Sequence, residues 1–239
     1  PFVPDGEGNL AWRAAKLLLD EKGIKDGVTI KIRKYIPVAA GMAGGSTDAA
    51  AVLVGVNRMF DLGFTKKELM ERGVKLGADV PYCIMRGTAL SEGIGEILTE
   101  LPAPPQCHLV IAKPQISVST KAVYGKLRVN ELAPEEHPDI DGMMAAIKNG
   151  DLDGVIERLG NVLETVTVPD HPEIARIKEM MMENGACGSL MSGSGPTVFG
   201  IYKDKELAEK ACQALREADG GRLTRQVYLT EFYNRKKAR

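Results

Sequence analysis

The sequence predicts an α+β protein in two domains, and three observations carry that prediction. Apolar residues recur at helical spacing in most of the chain, while only a few short stretches show strand patterning. Helices and strands follow no regular βαβ alternation, which favours α+β over a doubly wound sheet. The stretch Leu101-Pro102-Ala103-Pro104-Pro105 holds three prolines in five residues, which neither a helix nor a central strand tolerates. The domain boundary is expected there, giving domains 1–104 and 105–239.

Taken in order, Asn9 to Lys22 repeats Leu10, Ala14, Leu17 and Leu18 at helical spacing, with Gly23 placed to end the helix. Val28 to Lys34 alternates Val28, Ile30 and Ile32 with Thr29, Lys31 and Arg33, the period of a half-buried strand. A loop rich in proline and glycine follows from Pro37 to Gly45. Ser46-Thr47-Asp48 then opens an alanine-rich helix to Phe60, with capping residues in its first turn. Thr65 to Leu76 predicts an amphipathic helix with Thr65 as N-cap and Glu68 completing a capping box. Gly77-Ala78-Asp79-Val80-Pro81 breaks it.

Past the prolines, His108 to Ala112 predicts a short buried strand. Helices are predicted over Ser119–Leu127, Met143–Lys148, Asp151–Leu163, Pro172–Asn184 and Lys205–Ala218. Gly188 to Gly195 reads as a glycine and serine loop, Thr197 to Tyr202 as a strand and Gln226 to Phe232 as a closing strand.

At 239 residues the chain can bury a real core, and 44% hydrophobic with 26% charged residues is the balance of a globular protein. A formal net charge of −1 gives no footprint for nucleic acid, and the one dense basic run, Asn234 to Arg239, reads as a solvated tail. The cysteines Cys83, Cys107, Cys187 and Cys212 lie too far apart for a zinc site or a disulfide framework. With no apolar run long enough to span a bilayer, a cytoplasmic protein is expected. His108, His137 and His171 have no partner motif and read as structural or solvated.

The loop at 37–48 joins a predicted strand to the start of an apolar helix. Glycines let backbone approach an anion, and the first amides of a helix are unpaired donors at its positive end. The same residues also suit a plain tight turn. No lysine follows Gly45, so the loop is not a Walker A motif. Its run GMAGGSTDAA, Gly41 through Ala50, resembles the second motif of the GHMP kinases, GLGGGSSDAA. Ala43 stands at a motif glycine and is expected to disfavour a left-handed backbone there. Met191-Ser192-Gly193-Ser194-Gly195-Pro196-Thr197-Val198-Phe199 resembles the third motif of that family. Gly77-Ala78-Asp79-Val80-Pro81-Tyr82-Cys83, with Gly87-Thr88-Ala89 and Gly93-Ile94-Gly95-Glu96 after it, resembles the segment that marks its diphosphocytidyl-methylerythritol kinase branch.

The resemblance implies a nucleotide domain like the second domain of ribosomal protein S5, followed by a ferredoxin-like domain. It implies ATP and Mg2+ as cofactors, and a small-molecule alcohol carried on cytidine diphosphate as acceptor. Nucleotide contacts transfer to Asn9, Leu10, Lys34, Pro37, Val38, Ala39, Ala40, Gly41, Met42, Ala43, Gly44, Gly45, Ser46 and Thr47. Asp79 transfers as the catalytic carboxylate, against the alternative of a turn aspartate before Pro81. Thr120 and Tyr124, four apart on a predicted helix, transfer as the cytosine-holding pair, against Tyr124 as a half-buried core aromatic. Ser192, Gly193, Ser194 and Gly195 transfer as an active-site loop. Other readings stay open: a homoserine or mevalonate-type kinase of the same family, or a nucleotide-binding protein on this fold without catalysis.

The chain starts at Pro1 rather than methionine, and the resembled family begins with a PAKINL-type motif and a Tyr-His pair that this sequence lacks. An upstream segment carrying a catalytic lysine is therefore expected. The 239 residues alone are expected to phosphorylate the acceptor poorly, and joining the upstream residues to restore turnover, measured by ATP-dependent phosphorylation. Full activity of the 239 residues alone refutes this expectation.

Overall fold

The computed structural model describes residues 3–233, so the basic run from Asn234 lies outside the described residues. The chain divides into two compact units, one built from Pro1–Val38 and Ala43–Glu100, the other from Ala39–Met42 and Leu101–Arg239.

The first unit is mostly helical. Helix α1 spans Leu10–Glu21 and is capped by Asn9, whose side chain accepts from the Ala11 amide. Helix α2 spans Gly44–Met59, α3 Lys66–Val74 and α4 Val80–Met85, followed by the hairpin β1 (Thr88–Glu92) and β2 (Ile97–Leu101). The core is Ala14, Leu18, Ala49, Leu53, Val56, Leu69, Val80 and Ile84. Alanines on α1 and α2 let the two helices pack over their length, and α4 closes the far side of α2. The capping box forms as the sequence reads: Glu68 accepts from the Thr65 amide while Thr65 accepts from that of Glu68. Arg72 pairs with Glu21 and stacks 4.0 Å over Phe64, tying α3 to the end of α1.

Two expectations fail in this unit. Residues 28–34 form no strand: Val28 and Ile30 pack against the core, but no strand pairs with the segment among the described residues. Alternation predicts which side is buried, whereas a strand also needs a neighbour to complete its hydrogen bonds. Helix α2 starts two residues early, at Gly44 after Ala43, so Ser46-Thr47-Asp48 do not cap it. Thr47 instead donates its hydroxyl back to the Ala43 carbonyl at 3.0 Å. The break read at 77–81 is present between α3 and α4, and Pro81 sits in the first turn of α4, where its missing N–H costs nothing.

In the second unit, β3 (His108–Pro114), β4 (Gly188–Met191), β5 (Val198–Tyr202) and β6 (Thr224–Glu231) form an antiparallel sheet in the order β4-β5-β3-β6. Helices α5 (Thr120–Lys126), α6 (Ile140–Asn149), α7 (Leu152–Glu157), α8 (Glu164–Asp170) and α9 (Pro172–Glu183) lie between β3 and β4 in sequence, and α10 (Lys205–Glu217) between β5 and β6. This is the βαββαβ connectivity and strand order of a ferredoxin-like domain. Strand β3 is buried on both faces: Val110 and Ala112 join the core under α9 and α10, while Leu109 joins Cys107 and Ile201 on the other side.

Here too the sequence reading needs correction. The predicted glycine and serine loop begins as a strand, because Gly188 to Met191 pair with Ile201 to Val198. Small residues look loop-like until a partner strand supplies the ladder. The helix predicted over 151–163 stops at Glu157, and a separate α8 follows, ending at the Pro169-Asp170 step. Ile177 on α9 is fully buried. Ile177→Ala is expected to cost about 2–5 kcal/mol of stability, read by urea denaturation of both proteins.

Candidate functional site

In the first unit, the candidate residues gather at the start of α2. The Gly44, Gly45 and Ser46 amides head a 16-residue helix, and no side chain caps them. Such amides are donors without intrahelical acceptors, and the helix dipole adds positive potential. Gly45 is exposed, with the Leu10 side chain 3.5 Å from where its Cβ would lie. The structure thus brings Leu10 to this helix start, while Asn9 is engaged in capping α1 and in a 2.8 Å bond from its amide nitrogen to the Pro4 carbonyl. Lys34 lies across the first turn, donating to the Gly44 carbonyl at 3.0 Å and to Asp48 at 2.6 Å. Pro37 and Val38 are half-buried on the approach.

Asp79 is exposed at the N-cap of α4, and its side chain makes no capping bond. Gly77 approaches Ser46, whose hydroxyl lies 4.0 Å from the position of a Gly77 Cβ. One turn after Asp79, the Cys83 thiol meets the Thr47 hydroxyl at 3.5 Å. Burial pushes that thiol's pKa up, the Thr47 bond opposes this, and the negative charge of Asp79 adds to it. The 77–83 turn and the head of α2 are therefore neighbours, a contact no sequence signal announced.

In the second unit, Ala39, Ala40, Gly41 and Met42 pack with the turn Ser192-Gly193-Ser194-Gly195. The Ser192 hydroxyl donates to the Gly41 carbonyl at 2.8 Å. Gly41 has φ +68°, and a Cβ there would sit 2.5 Å from the Ser192 carbonyl oxygen and 2.9 Å from that of Gly195. Only glycine fits both the backbone and the space. Ala39 and Ala43 also adopt left-handed values, φ +52° and +48°, so the alanine at a motif glycine takes the conformation it was expected to resist. Each such alanine costs about 1–2 kcal/mol.

Thr120, at the first turn of α5, shares a 2.9 Å hydrogen bond with the buried Ser194 hydroxyl, so two candidates from distant stretches meet. Tyr124 is 59% exposed one turn later, not a core aromatic. Sequence reading missed Asn161, Glu164 and Thr167, whose side chains all bond the 191–194 backbone. Their spacing of three was the available signal: polar residues on one face of an otherwise apolar segment.

Comparison with known proteins supplies the context. A model described as the GHMP kinases N terminal domain matches residues 9–87, and one described as GHMP kinases C terminal matches residues 143–220. The 4-diphosphocytidyl-2-C-methyl-D-erythritol kinase of Lachnospira eligens is 52% identical over 232 residues, covering 97% of this chain and 79% of the relative. The kinase of that name from Lachnoclostridium phytofermentans is 51% identical over 235 residues, 98% of this chain and 79% of its own length. A crystal structure of 4-(cytidine 5'-diphospho)-2C-methyl-D-erythritol kinase matches with a TM-score of 0.79 at 32% identity, over 95% of this chain and 79% of that one. Homoserine kinase from Cytophaga hutchinsonii matches with a TM-score of 0.82 at 21% identity, over 97% of this chain and 78% of the other, a likeness of fold alone.

Gly41→Ala tests the loop directly. The substitution is expected to cost about 2 kcal/mol or more, since backbone carbonyls rather than flexible side chains occupy the space. Unchanged urea denaturation of the variant contradicts that account.

Proposed function

The chain belongs to the GHMP kinase family and carries its two-domain fold, and from that premise we propose that it transfers the γ-phosphate of ATP to the 2-hydroxyl of 4-diphosphocytidyl-2-C-methyl-D-erythritol. One observation carries the substrate: identity of 52% across 97% of the chain to a kinase of that name. Fold does not choose among family members, because a homoserine kinase matches with a TM-score of 0.82. Residues 1–104 form the nucleotide domain in this reading and 105–239 the C-terminal one.

In this reading the amides of Gly44, Gly45 and Ser46 hold phosphate oxygens, with the hydroxyls of Ser46 and Thr47 beside them. The backbone of Pro37 to Ala43 lines the triphosphate, and Asn9 and Leu10 lie on the adenine side. Lys34 bonds the Gly44 carbonyl and Asp48, which supports a role in fixing the head of α2. The acceptor hydroxyl oxygen forms a bond to the γ-phosphorus as the bond to the β–γ bridging oxygen breaks, and ADP leaves. The proton passes to the Asp79 carboxylate, which no capping bond occupies. Thr120 and Tyr124 hold the cytosine end, the exposed ring stacking on the base. Ser192 to Gly195 shape the loop beside Thr120.

Among the described residues, no three His, Cys, Asp or Glu side chains cluster to hold a metal. A hydroxyl-rich helix start suits Mg2+, which keeps waters and binds chiefly through substrate phosphates, with Ser46 as the protein oxygen proposed for it. When bound, Mg2+ neutralises charge developing on the transferred group. The four thiols are unpaired, in keeping with the cytoplasmic location we propose.

Asp79→Asn in the full-length protein is expected to lower kcat by about 10²–10⁴-fold, with ATP affinity kept. Turnover by the variant at the parent rate removes Asp79 from the mechanism. In a panel of acceptors, the diphosphocytidyl alcohol is expected to be phosphorylated in preference to homoserine and mevalonate.

A further inference from the structure

Strand β4 is an edge strand, and its last residue, Met191, leaves the sheet with an outward N–H and C=O. Neither group is left to solvent. Glu164 Oε1 accepts from the Met191 amide at 2.7 Å, and Asn161 Nδ2 donates to the Met191 carbonyl at 2.9 Å and to the Gly193 carbonyl at 2.8 Å. Three residues after Glu164, the buried Thr167 donates to the Ser194 carbonyl at 3.3 Å. All three side chains come from one face of the short segment 161–167, and together they bond the backbone at 191, 193 and 194.

That face is itself held in place. Asn161 Oδ1 accepts from the Leu163 amide at 3.0 Å, which orients its amide nitrogen toward the turn. Glu164 Oε2 takes a 2.5 Å bond from Lys178 on α9, in a pair whose side chains are 26% and 19% exposed. The carboxylate is thus aimed, with one oxygen for the lysine and one for the loop. On its far side the turn uses its own side chains: Ser192 bonds the Gly41 carbonyl and Ser194 bonds Thr120.

We propose that Asn161, Glu164 and Thr167 are positioning residues for phosphoryl transfer. They fix the Ser192–Gly195 turn so that it sets Gly41 of the nucleotide loop and Thr120 of the acceptor side at the same time. The proposal rests on the function inferred above, because it assigns Gly41 and Thr120 to the two substrates. The bonds of these three side chains to the turn all go to its backbone. Their effect travels through backbone held on both sides, so a loosened turn misplaces both substrates at once.

The test uses the full-length protein with Asn161→Ala, Glu164→Ala, Glu164→Gln and the near-isosteric Thr167→Val. Amide exchange of Met191, Ser192 and Gly195 reads the turn, and steady-state kinetics reads its consequence. Exchange at these amides is expected to speed up about tenfold in N161A and E164A, the loss of about one buried hydrogen bond, while α9 and α10 keep their protection. In the same variants kcat is expected to fall, and KM to rise for ATP and for the acceptor together. E164Q keeps an oxygen for the Met191 amide and is expected to recover most of both readouts. T167V, which removes one bond without changing shape, is expected to show the same effects more weakly, and it decides the matter if the alanine variants do not fold. Faster exchange with unchanged kinetics, impaired kinetics with unchanged exchange, or a KM effect on one substrate alone overturns the proposal. If the parent protein phosphorylates no acceptor, the functional reading fails instead, and the exchange data still decide whether the 161–167 face holds the turn.

Discussion

Gly41 lacks a side chain because the carbonyl oxygens of Ser192 and Gly195 stand where a Cβ would be, 2.5 and 2.9 Å away. Backbone meets backbone at that point, with one hydroxyl bond from Ser192 to close it. The chain carries left-handed alanines on either side of this contact, at positions 39 and 43. Two such residues cost a few kcal/mol in isolation, and they persist only where the surroundings over-determine them. The turn that supplies the contact is in turn bonded by Asn161, Glu164 and Thr167, and Glu164 is paired with Lys178 on α9.

The head of α2 serves a different purpose with the same economy. Helix propagation requires that its first amides go unpaired, and Ala43, with no polar side chain, leaves them so. Side-chain capping takes a polar residue with extended backbone, and Ala43 is neither polar nor extended. Lys34 and Asp48 brace the first turn from the side, bonding a carbonyl and each other rather than the free amides. The helix start is in this way rigid yet chemically open.

Fold and specificity separate cleanly in this chain. A homoserine kinase at 21% identity matches its backbone with a TM-score of 0.82, against 0.79 for a kinase of the diphosphocytidyl alcohol at 32% identity. A likeness of backbone therefore does not choose among acceptors. Choice of acceptor is left to a few side chains, and in the reading proposed for this protein these are Thr120 and the exposed Tyr124 on α5.

The sequence by itself determined what depends on neighbours in the chain. Thr65 and Glu68 announced a capping box, Asn9 and Gly23 bracketed α1, and the run from Gly41 to Ala50 declared its family, because these are local patterns of backbone and side chain. Tertiary structure alone decided where distant backbone had to be satisfied. Gly188 to Met191 became a strand only when β5 lay beside them, while residues 28–34, with equally good alternation, found no such neighbour among the described residues. Ala43 turned left-handed although its residue type resists that, and Asn161 and Glu164 found their partner, Met191, 30 and 27 residues away, since a hydrogen bond needs a partner in space and the chain's own order does not say who that partner will be.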